Sequence, residues 1–284
     1  MIYLFLAILS STGIIIVFKL FSRFNVNFIR AITINYIIAS GYGYLSRAGH
    51  FHVVSLPQHP WCVMALIVGV IFITGFILFG LSTAHAGVAI TAISSRMSVV
   101  IPVAAGFYLF SDPAPPLKLA GIAVALLSFY FIISNSGHAT AMRKFIYLPL
   151  LLFMVNGCGD LMMKIAQQYR IGEEFILFLS TVFFVALILS VVVLIFYRRG
   201  GGFKFTWYDV AGGMVLGLLN WWSTVCFLRG LKAFDVSWFV PMYNVSVVAI
   251  SALVGYFIFR EPLRVRNWIG VVMAVGAIIL MALA

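Results

Sequence analysis

Ten apolar runs follow one another along the chain, and each is long enough to cross a lipid bilayer. Their approximate bounds are 2–18, 28–45, 62–81, 87–110, 118–134, 145–166, 175–197, 208–228, 236–258 and 267–283. A helix needs about 20 mostly apolar residues to span a hydrocarbon core of ~30 Å. The runs are continuous rather than alternating, which argues against a transmembrane β-barrel. The sequence therefore predicts an all-α integral membrane protein with ten transmembrane helices.

The composition agrees with a bilayer environment and changes how the net charge is interpreted. Only 9% of the 284 residues are charged, whereas a soluble domain has about 25%. The formal net charge of +11 would indicate nucleic-acid binding in a soluble protein. Here the lysines and arginines lie mainly in short loops between apolar runs, where they report topology and lipid contact. We therefore expect a multi-pass protein of the plasma (inner) membrane, with the lipid bilayer and not nucleic acid as its partner.

The two halves of the chain carry a sequence repeat. The segment "GFYLFSDPAPPLKLAG" (106–121) aligns without gaps on "GYFIFREPLRVRNWIG" (255–270), at an offset of 149. Upstream, "GLSTA" (80–84) aligns on "GLKA" (230–233) with one gap. The first helices of the two halves also align, and Lys19 falls on Lys164 at an offset of 145.

This repeat predicts two five-helix units, residues 1–137 and residues 143–284, that form one membrane domain. Because each unit has an odd number of helices, the second unit crosses the membrane in the opposite direction. Inverted repeats of this kind are typical of secondary transporters, which bind their substrates near the bilayer midplane between the halves.

The arrangement resembles the drug/metabolite transporter superfamily, in its EamA-type branch of ten-helix transporters. The resemblance covers the whole chain and depends on an acidic-Pro dipeptide in each half, followed eight residues after the proline by Gly121 or Gly270. It implies two inverted five-helix repeats and transport of metabolites, most commonly export. The segment "VNGCGDLMMK" (155–164) also resembles the first-helix motif of the small multidrug-resistance proteins. Asn156, and Ser11 in the other half, stand where those exporters carry their proton-coupling glutamate.

Arg96 is an ionisable residue inside the fourth apolar run. It is nine residues from Gly87, so at 1.5 Å per residue it lies ~14 Å deep. A charged residue at that depth is a candidate for function, and a guanidinium suits a carboxylate or a phosphate. The alternative is an internal clamp, in which Arg96 pairs with Asp160 or with backbone carbonyl groups.

The sixth run carries a stripe of polar residues. These are Asn156, Asp160, Lys164 and Gln167. They fall within about 80 degrees of one another on a helical wheel, and such a stripe must face protein or water. Asp160 and Lys164 could simply neutralise each other. Alternatively, Asp160 with Asn156 binds a substrate amine or carries a coupling proton, and Lys164 and its repeat partner Lys19 take part in coupling or gating.

Positions that are polar in one half and apolar in the other indicate where function departs from the scaffold. Asp160 falls on Ile15, Arg96 on Val245 and Asn220 near Ile71. The full candidate substrate-binding set is Arg96, Asn156, Asp160, Asn220, Trp221, Tyr243 and Asn244. Adjacent tryptophans point about 100 degrees apart, so at most one of Trp221 and Trp222 lines a cavity.

The sequence offers little support for other kinds of site. His50, His52 and His59 lie in one loop, which we expect to be solvated at the surface rather than to bind metal. We expect no enzyme activity and no cofactor.

Two faces of the membrane differ in their positive charge. One holds Lys19, Arg23, Arg30, Arg143, Lys144, Arg198, Arg199, Lys204, Arg260, Arg264 and Arg266, and the other holds Arg47, Lys118, Arg170, Arg229 and Lys232, with Lys164 near it. The positive-inside rule then predicts that the first face is cytoplasmic and that both termini lie outside.

The leading hypothesis is a secondary transporter that exports a small polar or amphipathic metabolite, such as an amino acid or an organic anion, by alternating access. The alternatives are an exporter of lipophilic cations and an integral-membrane protein that processes lipids. Proton or ion coupling, and a monomeric or dimeric state, stay open.

Overall fold

The apolar runs form helices whose bounds are close to the expected ones. A computed structural model describes residues 1–46, 59–86, 88–133, 147–169, 171, 174–196, 205–260 and 264–284. In this part of the chain the helices are α1 (Ile2–Arg23), α2 (Phe28–Leu45), α3 (Cys62–Ala86), α4 (Val88–Met97), α5 (Val100–Leu109), α6 (Pro116–Ile133), α7 (Tyr147–Tyr169), α8 (Phe175–Phe196), α9 (Trp207–Ala233), α10 (Val236–Phe257) and α11 (Val265–Ala282). Seven of the described helices, α1, α3 and α7–α11, are long and apolar enough to cross a membrane.

Several expectations concern residues outside the described ranges. They include the second acidic-Pro dipeptide, Glu261–Pro262, and the loop histidines His50 and His52. The loop cations outside these ranges are Arg47, Arg143, Lys144, Arg170, Arg198, Arg199 and Lys204.

The fourth run differs from the single continuous helix expected over residues 87–110. It is divided between α4 and α5, with Ser98 and Val99 in a turn. Pro102 explains the break, because it has no N–H to donate to the carbonyl of Ser98 and its ring crowds that carbonyl. The Ser98 carbonyl instead accepts from the N–H of Ile101 at 3.0 Å. Pro102 is thereby placed in the first turn of α5, where proline is tolerated.

The helices form two compact units that do not coincide with the sequence halves. Unit 1 comprises Met1–Thr74 and Met162–Lys232, and unit 2 comprises Gly75–Leu161 and Ala233–Ala284. Each unit therefore contains segments from both halves of the chain.

In the described part of the chain, α2 packs extensively on α8 in unit 1, and α6 packs extensively on α11 in unit 2. In the predicted sequence repeat, α2 and α8 are equivalent to each other, and so are α6 and α11. Gly121, part of the repeated motif, lies in the second contact, where an added Cβ would be 2.6 Å from Cγ of Met281. The glycine is thus required for the close approach of α6 and α11.

In unit 1, glycines also bring α9 close to α2. A Cβ at Gly213 would lie 2.7 Å from the carbonyl oxygen of Ala31, and one at Gly217 would lie 2.8 Å from that of Asn35. Small residues of this kind allow membrane helices to pack closely through their backbones.

The first acidic-Pro dipeptide docks on the start of α10. Ser111, just before it, has a left-handed backbone with φ of 54°, and Asp112 Oδ2 accepts from the N–H of Ser237 at 2.8 Å. Asp112 therefore satisfies one of the free N–H groups at that helix N-terminus. Arg260, at the equivalent position in the other half, also has a positive φ, of 52°. The two left-handed residues are separated by the offset of the sequence repeat.

Candidate functional site

Arg96 lies in the last turn of α4, inside unit 2, and is held by an asparagine of α10. Its Nη1 donates to Oδ1 of Asn244 at 2.9 Å. Asn244 is buried and donates its own Nδ2 to the carbonyl of Val240 at 3.0 Å. The asparagine amide is therefore fixed at both ends, and it orients the guanidinium that it accepts from.

Asn156 brings α7 to the same region of unit 2. Its Nδ2 donates to Oγ of Ser95 at 2.8 Å, next to Arg96. The close approach requires the neighbouring Gly157, because a Cβ there would lie 2.8 Å from the carbonyl oxygen of Ser98. The helix break between α4 and α5 is thus also the place where α7 packs.

Asp160 lies one helical turn after Asn156 on α7. Its carboxylate is near enough to the Arg96 guanidinium to interact with it electrostatically. No ion pair within 4.0 Å joins Arg96 to Asp160 in the described part of the chain. The half-buried Tyr243 ring lies 6.3 Å from the ring of Phe239, nearly parallel to it.

This arrangement leaves the arginine able to bind an anion. A guanidinium has five N–H donors, and a single hydrogen bond from it, to a neutral amide, is described. Its positive charge is close to a carboxylate but not in direct contact with it. Such a group can form a bidentate contact with a carboxylate or a phosphate.

The other candidate residues lie in unit 1. Asn220 donates its Nδ2 to Oδ1 of Asn35 at 3.1 Å, and Trp221 is only 3% exposed among aromatic rings of α2 and α8. Lys164 donates its Nζ to the carbonyl of Leu231 at 2.8 Å, and Lys19 is half-buried near the end of α1. The structure therefore places Arg96, Asn156, Asp160, Tyr243 and Asn244 in one unit and these four residues in the other.

Unit 1 contains a buried ion pair that was not predicted from the sequence. Nη1 of Arg30 lies 3.4 Å from Oδ2 of Asp209, and both side chains are buried. The carboxylate also accepts from the N–H groups of Asn27 at 2.8 Å and Thr206 at 2.9 Å. The spacing Thr206-x-x-Asp209 is that of a capping box at a helix start, and it was the available signal for this aspartate.

Asn35 and the pair formed by Ser11 and Ser223 were also missed. The two serine hydroxyl oxygens are 2.6 Å apart and buried. Single neutral polar residues in an apolar run give little signal, because serine and asparagine also occur where they bond only to their own helix.

His59 differs from the solvated loop residue that was expected. It is half-buried, its Nδ1 lies 2.9 Å from Oε2 of Glu174, and its ring stacks on that of Trp61. Among the described residues, no group of three or more histidine, cysteine or acidic side chains could hold a metal ion.

Comparisons with known proteins extend these observations. No protein-family model matches the chain. A protein of Haemophilus influenzae, described as an uncharacterized protein, is 22% identical over 281 residues, which is 97% of this chain and 95% of that protein. The fold is similar to that of a protein of known crystal structure, with a TM-score of 0.80, 14% identity, and coverage of 99% of this chain and 96% of the other.

Shorter matches connect the chain to a named membrane protein. Two strains of Pseudomonas fluorescens have a probable 4-amino-4-deoxy-L-arabinose-phosphoundecaprenol flippase subunit, ArnE. These are 34% identical over 67 residues and 35% identical over 65 residues, about 24% of this chain and about half of each relative. These two matches and the seven long apolar helices among the described residues lead to the same conclusion. The chain is a multi-pass membrane protein.

Proposed function

We propose that the chain is a secondary transporter of the drug/metabolite transporter type that moves a small anionic or zwitterionic metabolite, such as an amino acid or an organic anion, across the inner membrane. The observation that carries this proposal is the arginine in unit 2, which hydrogen-bonds to a buried amide and has no direct carboxylate partner among the described residues. A charge kept inside a membrane helix is costly, and binding of an anionic substrate offsets that cost.

Two observations support the inverted-repeat architecture. Helices at equivalent places in the two sequence halves pack together in each unit, and the left-handed residues Ser111 and Arg260 recur at the repeat offset. Ten transmembrane helices in two inverted repeats, with alternating access and export, are part of this proposal.

The residues of unit 2 take separate roles in the proposed transporter. Arg96 binds the anionic group, and Asn244 positions its guanidinium. Asp160, with Asn156 one turn before it, binds an amine or carries a coupling proton. Tyr243 shapes the cavity beside them. In unit 1, Asn220 and Trp221 remain candidates for substrate binding from the sequence, and Lys19 and Lys164 remain candidates for gating.

A second candidate function follows from the ArnE matches. Those relatives are named as flippase subunits for a lipid-linked, amino-substituted sugar phosphate, which carries both an anionic and an amino group. Arg96 and Asp160 suit such a substrate equally well, so the second candidate is a flippase rather than a transporter of free metabolites.

Proteoliposomes that contain the purified chain test these functions. We expect uptake of labelled amino acids or organic anions, and we expect Arg96→Gln to reduce it at least 100-fold, about 2.7 kcal/mol, at unchanged folding. Arg23→Gln, which changes an exposed arginine at the end of α1, is the matched control and should keep full uptake.

The same vesicles separate the alternatives. Flux of quaternary ammonium dyes without flux of amino acids or organic anions would exclude the proposal in favour of a cation exporter. Transbilayer movement of a fluorescent lipid-linked sugar phosphate, without uptake of free metabolites, would establish the flippase instead. Loss of folded protein in Arg96→Gln would assign the arginine to a structural clamp.

A further inference from the structure

A second arginine, in unit 1, is held between two aromatic rings. The guanidinium carbon of Arg229, in the last two turns of α9, lies 5.0 Å from the ring centre of Phe175 and 5.2 Å from that of Tyr3. A guanidinium at this distance from a ring is stabilised by a cation–π interaction. Two rings therefore fix the position of this half-buried side chain.

The site lies at the ends of three helices. Tyr3 is the second residue of α1, and Phe175 is the first residue of α8. Arg229 is four residues before the end of α9. The ends of membrane-spanning helices reach the head-group region of a bilayer, where aromatic side chains concentrate. We therefore expect the Arg229 guanidinium to lie near the depth of the lipid phosphates.

The guanidinium is not neutralised by a carboxylate of the described residues. Its Nη1 lies 3.5 Å from the Tyr3 hydroxyl, which is long for a hydrogen bond, and no acidic group of the described ranges lies within 4.0 Å of it. Glu174, next to Phe175, accepts from Nε1 of Trp61 at 2.7 Å and contacts His59. Asp235, the nearest described carboxylate along the chain to Arg229, pairs with Lys118 at 3.5 Å. The described carboxylates next to this site in the sequence are thus already engaged.

The position equivalent to Arg229 in the sequence repeat carries no charge. Aligning Gly80 with Gly230 places Phe79 at the position equivalent to Arg229. Lys232, three residues later and exposed, is a neighbour of Arg229 on the helix surface and adds a second positive charge. Two cations and two aromatic rings thus occur at the end of α9.

We propose that Arg229, with Lys232, binds the phosphate group of an anionic membrane lipid at the ends of α1, α8 and α9. The planar guanidinium matches phosphate geometry, and the second cation, Lys232, adds to the attraction for an acidic head group. The rings of Tyr3 and Phe175 hold the Arg229 guanidinium in place before the lipid binds, which reduces the entropy lost on binding. This site is independent of the transport site in unit 2.

Nanodiscs that contain the full chain test the proposal by thermal unfolding and native mass spectrometry. Replacing part of the phosphatidylcholine by phosphatidylglycerol should raise the unfolding temperature of the wild type and leave phosphatidylglycerol bound. Arg229→Gln should lose the lipid-dependent rise and bind phosphatidylglycerol at least tenfold more weakly. Arg266→Gln, which removes an exposed arginine of α11, should behave like the wild type.

Three outcomes would overturn the assignment. The first is an undiminished phosphatidylglycerol effect in Arg229→Gln, and the second is an equal effect of inorganic phosphate or glycerol phosphate, which would indicate a site for free phosphate. The third is an equal loss of stability in both lipids, which would indicate a structural contact alone. If Arg229→Gln does not fold, Arg229→Lys and Lys232→Gln replace it, and both should weaken retention of phosphatidylglycerol; unchanged retention in both would equally overturn the proposal.

Discussion

Two arginine–aspartate sets, one in each unit, differ in how completely their charges are satisfied. In unit 1 Arg30 and Asp209 form an ion pair, and the carboxylate also accepts from two backbone N–H groups. In unit 2 the guanidinium of Arg96 donates to an amide, and Asp160 interacts with it only at longer range.

The difference separates a structural pair from a candidate binding pair. A carboxylate whose acceptor positions are occupied by an arginine and by helix-start N–H groups has little capacity left for a ligand. Among the described residues, the Arg96 guanidinium makes one hydrogen bond and Asp160 has no ion-pair partner. Each can therefore exchange a weak internal interaction for a substrate. The pair of Arg30 and Asp209, the closed pair, joins the start of α2 to the start of α9. The pair of Arg96 and Asp160, the open pair, is the candidate binding pair of the proposed transporter.

The largest effect on stability is expected from removing the Asp209 carboxylate from its ion pair with Arg30. Asp209→Ala leaves Arg30 buried without its carboxylate, and loss of one partner of a buried pair costs about 3 kcal/mol. Titration with SDS in mixed micelles measures the free energy of unfolding, and uptake per folded molecule should stay close to that of the wild type. Arg23→Ala removes an exposed charge on α1 and should change the free energy of unfolding by less than about 0.5 kcal/mol. A similar small change in Asp209→Ala would mean that the pair is not structural.

Next in size is the contact between α2 and α9. Gly217→Ala places a Cβ 2.8 Å from the carbonyl oxygen of Asn35, so the helices must separate, and overpacking of this kind costs about 1–3 kcal/mol. Gly41→Ala on α2 is the matched control, because its Cβ meets nothing within 4 Å. It should raise helix stability slightly. Equal stability of both variants in the same titration would contradict the close packing.

A smaller effect, on function, is expected at the open pair. Asp160→Asn should reduce uptake of zwitterionic amino acids about tenfold, or 1.4 kcal/mol, because the amine loses its carboxylate. Uptake of organic anions without an amine should be kept. Competition assays in proteoliposomes measure the ratio of zwitterion uptake to anion uptake. An equal fall for both substrate classes would instead assign Asp160 to ion coupling.

The smallest effect concerns the neutral pair of Asn35 and Asn220. A double-mutant cycle with Asn35→Leu and Asn220→Leu should give a coupling energy of about 0.6 kcal/mol, the typical value for hydrogen bonds between membrane helices. The measurement is the same unfolding titration. A coupling energy near zero, together with lost uptake in Asn220→Leu, would make Asn220 a substrate contact rather than a helix contact.

Helix positions could be predicted from the sequence with good accuracy, because each span is a long apolar run with polar ends. The start of α8 at Phe175 and of α10 at Val236 agree with the runs from 175 and 236. The break at Ser98 was not predicted, although Pro102 four residues later gave its physical cause. Apolar content alone does not distinguish a straight span from a broken one.

The candidate site could be predicted only as a set of unusual residues. Arg96 and Asp160 stood out because their charges are costly in a membrane, and both lie in unit 2. The partnership of Arg96 with Asn244 spans 148 residues of sequence, and composition carries no information about such a contact. Whether these residues bind substrate stays a prediction.

The interleaving of the two units along the chain has a consequence for biosynthesis. Unit 1 needs residues up to Lys232, and unit 2 needs residues from Gly75 to the end of α11. A ribosome that has released the first five spans has therefore completed neither unit. The early helices must stay in the bilayer without their final neighbours until α8 and α9 emerge. Separate expression of the two sequence halves should accordingly yield a stable product only when both are made in the same membrane.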